Sequence, residues 1–233
     1  RELIDHLLTR PEVSWLTRLD GDFDLEFVIW ASGVSAFEAA YDDILGQFGD
    51  MFQEKYFSLA TRIEFRPWSL LAPGSGSAVV LESRGHPLDI DPIDRRLLAE
   101  LSREGRLSLT SLAARCRIAT ALATSRVRTL RNNGAIAGFG AKIDHSRLGL
   151  TYRKVFLILA RPAGDAQREM CAWLRAQSAV IFLVKTIGTY DLEVELMTHS
   201  PEDFSDFMRR LRTTFADDLL SHRSVVVVRE YKY

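Results

Sequence analysis

One stretch of the chain carries short polar side chains and arginines at a spacing that suits contact with DNA bases. Residues 120–132 have the helical period, and the side chains expected on the outer side are those of Thr120, Ala121, Thr124, Ser125 and Arg128. Short polar groups reach base edges in the major groove, and an arginine can donate two hydrogen bonds to guanine. Other arginines nearby are candidates for phosphate contacts or helix packing: Arg106, Arg115, Arg117, Arg126 and Arg131. Taken singly, each arginine is explained equally well as a solvated surface residue.

The charge distribution points to the same segment. Residues 84–149 carry 12 Lys or Arg against 6 Asp or Glu, whereas residues 1–83 carry 6 against 14 and residues 150–233 carry 12 against 11. A contiguous basic segment attracts a nucleic acid backbone. Charge alone also fits a solvated basic surface, so the interpretation depends on the elements that hold these side chains.

Three short helices and one strand are predicted around the basic residues. Asp91 is a good helix cap and Pro92 suits the first turn, while Ser108 caps the next helix. In the third helix we expect Leu122, Val127 and Leu130 to face inward. A tight turn before a third helix with a polar outer side is typical of helix-turn-helix domains. The predicted elements are helices at Asp91–Arg103, Leu109–Arg115 and Thr120–Asn132 and a strand at Ala135–Ile143.

Other chemistry has weaker support in the sequence. Asp24 with Glu26, and Asp191 with Glu193, alternate along predicted strands and could serve acid–base catalysis, but the solvent face of a hairpin explains them more simply. The two cysteines lie far apart and the five histidines are scattered, so we expect no metal site and no cofactor. The sequence has no apolar run of about 18 residues and no signal-peptide pattern, and we expect a cytoplasmic protein that is not an enzyme.

The sequence also contains a repeat. The segment 21–26 (GDFDLE) reappears as 188–193 (GTYDLE), 167 positions later, and the hydrophobic pattern persists over about 45 residues. The second copy has the order strand, helix, strand, strand, helix, strand, which predicts a ferredoxin-like α/β sandwich. The first copy starts inside its first helix and lacks the opening strand, so we expect that the chain is truncated in front of Arg1.

These features predict an α+β protein with a winged helix-turn-helix domain and two ferredoxin-like domains. A Pro-, Gly- and Ser-rich stretch separates the first copy from the basic segment and is typical of a flexible linker. The predicted domains are a first α/β domain at 1–71, a linker at 72–87, the helix-turn-helix domain at 88–149 and a second α/β domain at 150–233.

The basic segment resembles the DNA-binding domain of the Lrp/AsnC (feast/famine) family, and both repeat copies resemble that family's C-terminal sensing domain, the RAM domain. The resemblance covers nearly the whole chain. The residues that carry it in the basic segment are Leu88-Asp89, Asp94-Arg95-Arg96-Leu97-Leu98, Gly105-Arg106, Ser108, Leu112-Ala113, Arg126-Val127, Leu130, Gly134-Ala135-Ile136, Gly138-Phe139 and Asp144 to Leu148-Gly149.

The resemblance implies a transcriptional regulator that binds double-stranded DNA and responds to an amino acid or related small molecule. The implied effector site lies between subunits at the hairpin tips, where backbone N–H groups could bind a carboxylate and an aspartate an ammonium. Gly and Asp would equally well only build the turns. The implied effector residues are Gly188, Thr189, Tyr190, Asp191, Gly21, Asp22 and Asp24.

The sequence departs from the family pattern at the start of the third helix. Arg117 and Ala119 stand where the family usually has Gly and a Ser cap, and Ala123 replaces a larger core residue. Thr120 could cap the helix one residue later. Losing a cap costs about 1 kcal/mol, so altered DNA recognition is one expectation.

The repeat period of 167 residues is about one whole regulator unit of this family. The resemblance therefore implies a tandem duplication with another DNA-binding domain upstream, in which the two sensing domains of one chain pair with each other and the protein forms a homo-oligomer. Two alternatives remain: an enzyme similar to sirohaem decarboxylases, for which the second sensing domain offers only His199 and His222, or an assembly protein whose DNA-binding domain has decayed.

Overall fold

The computed structural model describes residues 1–66, 68–71, 78–82, 88–141 and 143–233. The chain divides into two compact units, one formed by residues 1–78 with 144–233 and the other by residues 79–143. Within the described residues, no helix combines the length and apolar character needed to cross a membrane.

In chain order the elements are α1 (Glu2–Thr9), β1 (Val13–Gly21), β2 (Leu25–Ile29), α2 (Val34–Phe48), β3 (Ser58–Phe65), β4 (Val79–Glu82), α3 (Pro92–Arg103), α4 (Leu109–Cys116), α5 (Thr120–Asn132), β5 (Thr151–Leu159), α6 (Asp165–Ala176), β6 (Val180–Gly188), β7 (Leu192–Thr198), α7 (Pro201–Thr214) and β8 (Leu219–Lys232), with 3-10 turns at Gly49–Met51 and His145–Leu148. The linker predicted at 72–87 falls mostly outside the described residues, and its described part contains β4.

The smaller unit is a three-helix domain, and the three predicted helices are confirmed. The side chain of Asp91 accepts hydrogen bonds from the backbone N–H groups of Ile93 and Asp94, both at 2.8 Å, and so satisfies the first turn of α3. The Ser108 hydroxyl accepts from the Ser111 N–H at 3.1 Å and caps α4. The helices enclose one apolar core of buried side chains: Leu97, Leu112, Ala113, Cys116, Ala123 and Leu130.

The strand predicted at Ala135–Ile143 is wrong for the described residues of that range. Gly134 has a positive φ of 82°, and Gly138 passes so close to β4 that an added Cβ would lie 2.6 Å from Val79 Cγ2. The Ile136 N–H donates to the Leu130 carbonyl at 2.8 Å and ends α5 rather than joining a ladder. Alternating hydrophobicity suggested a strand, but the glycines favour an irregular backbone.

Seven strands of the larger unit form one antiparallel sheet in the order β2-β1-β8-β5-β7-β6-β3. Both segments predicted as separate α/β domains, 1–71 and 150–233, contribute strands to it. Within the second segment the order β8-β5-β7-β6, with α6 and α7 on one face, is that of a ferredoxin-like sandwich. Met170 and Leu174 of α6 pack there with Leu211 of α7, all fully buried.

The strand register follows the 167-residue offset of the sequence repeat. In β1–β2, Leu16 pairs with Phe27 and Arg18 with Leu25, and in β6–β7 Leu183 pairs with Val194 and Lys185 with Leu192. Each number in the second hairpin exceeds its counterpart in the first by 167. Both hairpins also carry a register shift at the corresponding place, after Val13 and after Val180.

The two seams that join the segments obey the same offset. Where β1 meets β8, the pairs include Arg18 with Arg229 and Gly21 with Val225. Where β6 meets β3, the corresponding pairs are Lys185 with Arg62 and Gly188 with Ser58. One register shift in each seam falls at corresponding residues, between Arg18 and Leu19 in β1 and between Lys185 and Thr186 in β6, while a further shift between Leu16 and Thr17 occurs in the β1–β8 seam. The shared pairs indicate an approximate twofold relation between the two seams.

The turn between β6 and β7 (residues 188–191, the β6–β7 tip) lies so close to β3 that Gly188 has no room for a side chain. Gly188 has a φ of 136°, and an added Cβ would lie 2.5 Å from the Phe57 carbonyl oxygen. We expect Gly188→Ala to destabilise the larger unit by about 2 kcal/mol or more, because it combines a strained backbone with a backbone clash. Urea unfolding followed by circular dichroism measures the change.

Gly46→Ala is the matched control, since Gly46 lies inside α2 with open space around it and alanine should stabilise the helix by up to about 1 kcal/mol. If Gly188→Ala were as stable as the wild type, the close approach of the tip to β3 would be incorrect.

Candidate functional site

The outer side of α5 carries the residues predicted to face DNA. Thr120, Ala121, Ser125 and Arg128 are exposed, and Thr124 is half-buried. The Thr124 hydroxyl donates to the Thr120 carbonyl at 2.9 Å, so it is engaged with its own helix. The side presented to solvent therefore combines short side chains with one long cation.

The inner side of α5 differs in one residue from the prediction. Ala123 and Leu130 are buried and Val127 is half-buried, whereas Leu122, predicted to face inward, is 37% exposed. Positions 123, 127 and 130 follow the i, i+4, i+7 stripe that faces α3 and α4, and residue 122 lies beside it. The core therefore accepts a small alanine where a larger residue was expected.

The arginines of this unit fall into two groups. Arg115 pairs with Glu104 at 2.7 Å and Glu100 at 3.4 Å, and Arg126 pairs with Asp91 at 2.8 Å and Asp94 at 3.3 Å. In the described part of the chain no ion pair engages the remaining predicted arginines, all of them exposed: Arg106, Arg117, Arg128 and Arg131. The second group is the one available to phosphates.

The β6–β7 tip, predicted as an effector site, is largely engaged in structural contacts. The Asp191 carboxylate accepts the Leu159 N–H at 2.8 Å, and the Thr189 hydroxyl donates to the Phe57 carbonyl at 3.0 Å. Tyr190 is buried. At the corresponding β1–β2 tip, Asp22 and Asp24 are exposed, and neither carboxylate accepts a hydrogen bond from any described residue.

The structure brings the two tips together through aromatic residues. The ring of Phe23 lies 6.3 Å from that of Tyr190, its counterpart at the 167-residue offset, and Phe156 packs against both rings. Tyr56 and Arg223 are also counterparts at that offset. Tyr56 packs on Phe23 at 5.1 Å, and the Arg223 guanidinium lies 5.7 Å from the Phe23 ring. Sequence analysis missed Tyr56 and Arg223, although the repeat offset could have paired them.

The solvent-facing position predicted for Glu26 and Glu193 is wrong. Both carboxylates surround the buried ammonium of Lys154, together with Glu195. They lie on the side of the hairpins that faces Lys154 of β5. No local sequence signal indicates that a lysine on β5 would meet them.

Comparisons with known proteins agree with this geometry. Residues 90–137 match the family model for winged helix-turn-helix DNA-binding domains. The chain is 30% identical over 121 residues to the HTH-type transcriptional regulator AldR of Mycolicibacterium smegmatis, a match covering 52% of this chain and 71% of AldR. It is 27% identical over 142 residues to an uncharacterized HTH-type transcriptional regulator of Pyrococcus furiosus, covering 60% of this chain and 92% of that protein.

A feast or famine regulatory protein from M. tuberculosis, solved in complex with L-methionine, is 27% identical with a TM-score of 0.55, covering 62% of this chain and 96% of the other. The chain belongs to the Lrp/AsnC family of transcriptional regulators. The matches to the P. furiosus and M. tuberculosis regulators each cover more than nine-tenths of the relative. Each leaves about two fifths of this Lrp/AsnC chain unmatched.

The start of α5 departs from the family pattern, with a visible structural effect. Arg117 adopts a left-handed conformation with φ 55°, which a glycine would adopt without strain. The N-cap is Ala119, which provides no side-chain hydrogen bond. The prediction that Thr120 caps the helix instead is wrong, because Thr120 is already the first helical residue and its carbonyl accepts from Thr124.

Arg126 ties α5 to the start of α3. Its guanidinium bridges the carboxylates of Asp91 and Asp94, and Asp94 is buried. The backbone N–H groups of Asp94 and Ile93 lower the pKa of Asp91, and Arg126 lowers it further, so Asp91 stays ionised. The contact of α5 with α3 in this Lrp/AsnC protein thus includes an ion pair from the middle of α5.

We expect Arg126→Ala to lower the free energy of unfolding of the helix-turn-helix unit by about 1 kcal/mol, because Asp94 is left buried without its cation. Arg128→Ala, two residues along the same helix and exposed without an ion pair, should change it by less than about 0.5 kcal/mol. Thermal unfolding followed by circular dichroism compares the two variants, and equal destabilisation would contradict the separate roles given to these arginines.

Proposed function

We propose that this Lrp/AsnC chain is a sequence-specific DNA-binding regulator that reads a major groove with the outer side of α5. The observation that carries the proposal is the contrast among its arginines: Arg115 and Arg126 are held by carboxylates, whereas Arg128 and Arg131 on α5 are exposed without an ion pair among the described residues. Exposed cations beside a row of short polar side chains suit a groove whose walls are phosphates.

Within this proposal, some residues contact bases and others contact phosphates. Arg128, Ser125 and Thr120 contact base edges, while Ala121 and the Thr124 methyl group suit apolar contact with thymine. Arg106, Arg117 and Arg131 neutralise phosphates and set the register of the helix on the duplex. Because the relatives named above are transcriptional regulators, we favour this role over a sirohaem-decarboxylase-like enzyme.

We further propose that residues 1–71 and 150–233 are two RAM-type sensing domains, joined within one chain as a pseudo-dimer. The common offset of 167 in both hairpins and both seams supports this, since unrelated segments would not share register and bulge positions. The extent of the sequence match supports it too, because a match that covers 92% of a relative covers only 60% of this chain. A homo-oligomer would then supply a second DNA-binding domain for a second half-site.

The proposed effector is an amino acid bound at the β1–β2 tip. Asp22 and Asp24 have carboxylates available for an ammonium, and the Arg223 guanidinium lies nearby over Phe23 and Tyr56 and could bind a carboxylate. The β6–β7 tip is the poorer candidate, because Asp191 and Thr189 are engaged in the fold. The M. tuberculosis regulator complexed with L-methionine makes that amino acid the first probe to use.

For DNA binding, we expect Arg131→Ala to weaken binding to all duplexes about equally and to reduce the slope of log K against log salt by about 1. Arg128→Ala should cost about 1–3 kcal/mol on the preferred duplex and much less on others. Fluorescence anisotropy with a duplex selected from a random library by the full chain measures both.

Arg168→Ala is the control, since Arg168 is an exposed arginine on α6 of the larger unit. If the wild type selected no duplex, or bound with no dependence on salt, the alternative of a decayed DNA-binding domain would replace the proposal.

For the effector, we expect calorimetry to detect L-methionine binding to the wild type and at least a tenfold weaker affinity in Asp24→Asn, because the ammonium would lose a charged partner. Asp165→Asn, at an exposed carboxylate on α6, should leave the affinity unchanged. An unchanged affinity in Asp24→Asn would place the amino acid elsewhere, and no heat with any of the twenty amino acids would exclude this class of effector.

A further inference from the structure

A buried ionic cluster joins the two α/β segments, and neither the DNA-binding role nor the effector role accounts for it. The Lys154 ammonium contacts Glu26, lies 2.8 Å from Glu193 Oε2 and lies 3.5 Å from Glu195 Oε1. The Lys154 side chain is 3% exposed, and the rings of Trp15 and Phe156 lie 4.9 Å and 5.2 Å from its nitrogen. Water therefore has little access to this charge.

The cluster is built at the contact between two hairpins. Glu26 lies on β2 and Glu193 on β7, and the two are counterparts at the 167-residue offset. Lys154 on β5 faces both, so one ammonium holds a strand of the first segment to two strands of the second. Glu26 on β2 thus provides a charged contact between the first segment and the ammonium on β5.

The groups around this contact carry more potential negative than positive charge. Lys154 is surrounded by the carboxyls of Glu26, Glu193 and Glu195, and the Tyr152 hydroxyl donates to Glu195. Farther out, the Glu230 carboxylate on β8 accepts from the Trp15 indole N–H at 3.0 Å, and the His145 ring lies 5.4 Å from Tyr152. With all three inner carboxyls ionised, the cluster would hold two uncompensated negative charges, which a buried site disfavours.

The Glu26 carboxyl is the group most poorly placed to stay ionised. Its Oε2 atom is buried, and no described residue donates a hydrogen bond to it. Burial raises the pKa of Glu26 to about 7; Lys154 opposes this, and Glu193 and Glu195 add to it. Burial also raises the pKa of Glu195 and, most strongly, that of Tyr152, so Tyr152 remains a donor. Burial lowers the pKa of Lys154, but the three carboxylates outweigh it and keep the ammonium charged.

We propose that the cluster around Lys154 is a proton-binding site, in which Glu26 takes up and releases one proton and thereby controls how tightly β2 is held against β5 and β7. When Glu26 is protonated, the cluster carries one ammonium and two carboxylates, and the protonated oxygen can donate a hydrogen bond. Loss of the proton adds a buried charge and weakens the contact between the two segments.

The direction of the pH effect follows from the two states. In the unfolded chain Glu26 titrates near its ordinary value of 4.5, and in the folded chain near 7. Between these values the folded protein holds a proton that the unfolded chain has released, so stability falls as the pH rises through this window and levels off above it. This contribution should lower the folding equilibrium constant of the larger unit by about a hundredfold between pH 5 and pH 8.

The test compares Glu26→Gln with Glu38→Gln across pH 5–8. Glutamine mimics the protonated carboxyl, whereas Glu38 is an exposed carboxylate on α2 and is the matched control. Urea unfolding should show Glu26→Gln gaining stability relative to Glu38→Gln as the pH rises, by at least tenfold in the folding constant at pH 8. The protection factors of the amides at residues 25–29, which correct hydrogen exchange for its intrinsic acceleration with pH, should fall as the pH rises in the wild type and in Glu38→Gln, but not in Glu26→Gln.

Carbon-13 NMR of glutamate carboxyls in the full chain provides an independent measurement on the unmodified protein. We expect one carboxyl to titrate between about pH 6 and 8, and its signal to be missing in Glu26→Gln. If Glu26→Gln fails to fold, the wild-type spectrum decides alone. A wild type in which every glutamate titrates below pH 6, or parallel pH profiles for the two variants, would overturn the proposal.

Discussion

The larger unit depends on two antiparallel strand pairings, β1 with β8 and β6 with β3, which hold together segments far apart in the chain. The helices of each segment can cover only one face of its strands, and the other face must be covered by something else. The two strand pairings provide this cover, because they place the uncovered face of each segment opposite that of the other. The apolar cluster with Tyr152, Phe156 and Tyr190 and the charged cluster around Lys154 both lie on this inner side.

This arrangement also explains why the hairpin tips lie near each other. Gly21 and Gly188 end β1 and β6, and both lie where these strands pair with the opposite segment. A residue with a side chain would push the seams apart at those points, since Ser224 and Phe57 carbonyls lie against the two glycines. The tips therefore serve the fold first, and only the side chains that the seams leave unengaged, such as Asp22 and Asp24, remain for a ligand. An approximately symmetric framework thus carries two chemically different tips.

Local order was predictable from sequence, and long-range charge pairing was not. The helices of the 88–149 segment follow from caps such as Asp91 and Ser108 and from apolar stripes, which are signals within a few residues. The 167-residue repeat likewise predicted that β1–β2 and β6–β7 would match. Lys154 and Glu26, in contrast, are 128 positions apart, and each looked like an ordinary strand residue. The prediction of a strand at 135–143 is wrong for a related reason. An alternating pattern shows which side chains could share a face, but it does not supply a neighbouring strand with which the backbone could pair.

The helix α5 shows how an ion pair between distant residues can support a helix whose first turn has no side-chain cap. Arg117 adopts a left-handed conformation and the N-cap residue Ala119 makes no side-chain hydrogen bond, so the first turn of α5 is without a side-chain cap. Arg126 acts two turns later, and its partners Asp91 and Asp94 form the capping box of α3. The orientation of α5 is therefore supported by the start of α3, itself well capped, together with the apolar stripe that packs on α3 and α4. Because the carboxylates of α3 hold Arg126, the side chains of α5 that remain for the proposed contact with a groove are those on its exposed side, among them Thr120, Ala121, Ser125 and Arg128.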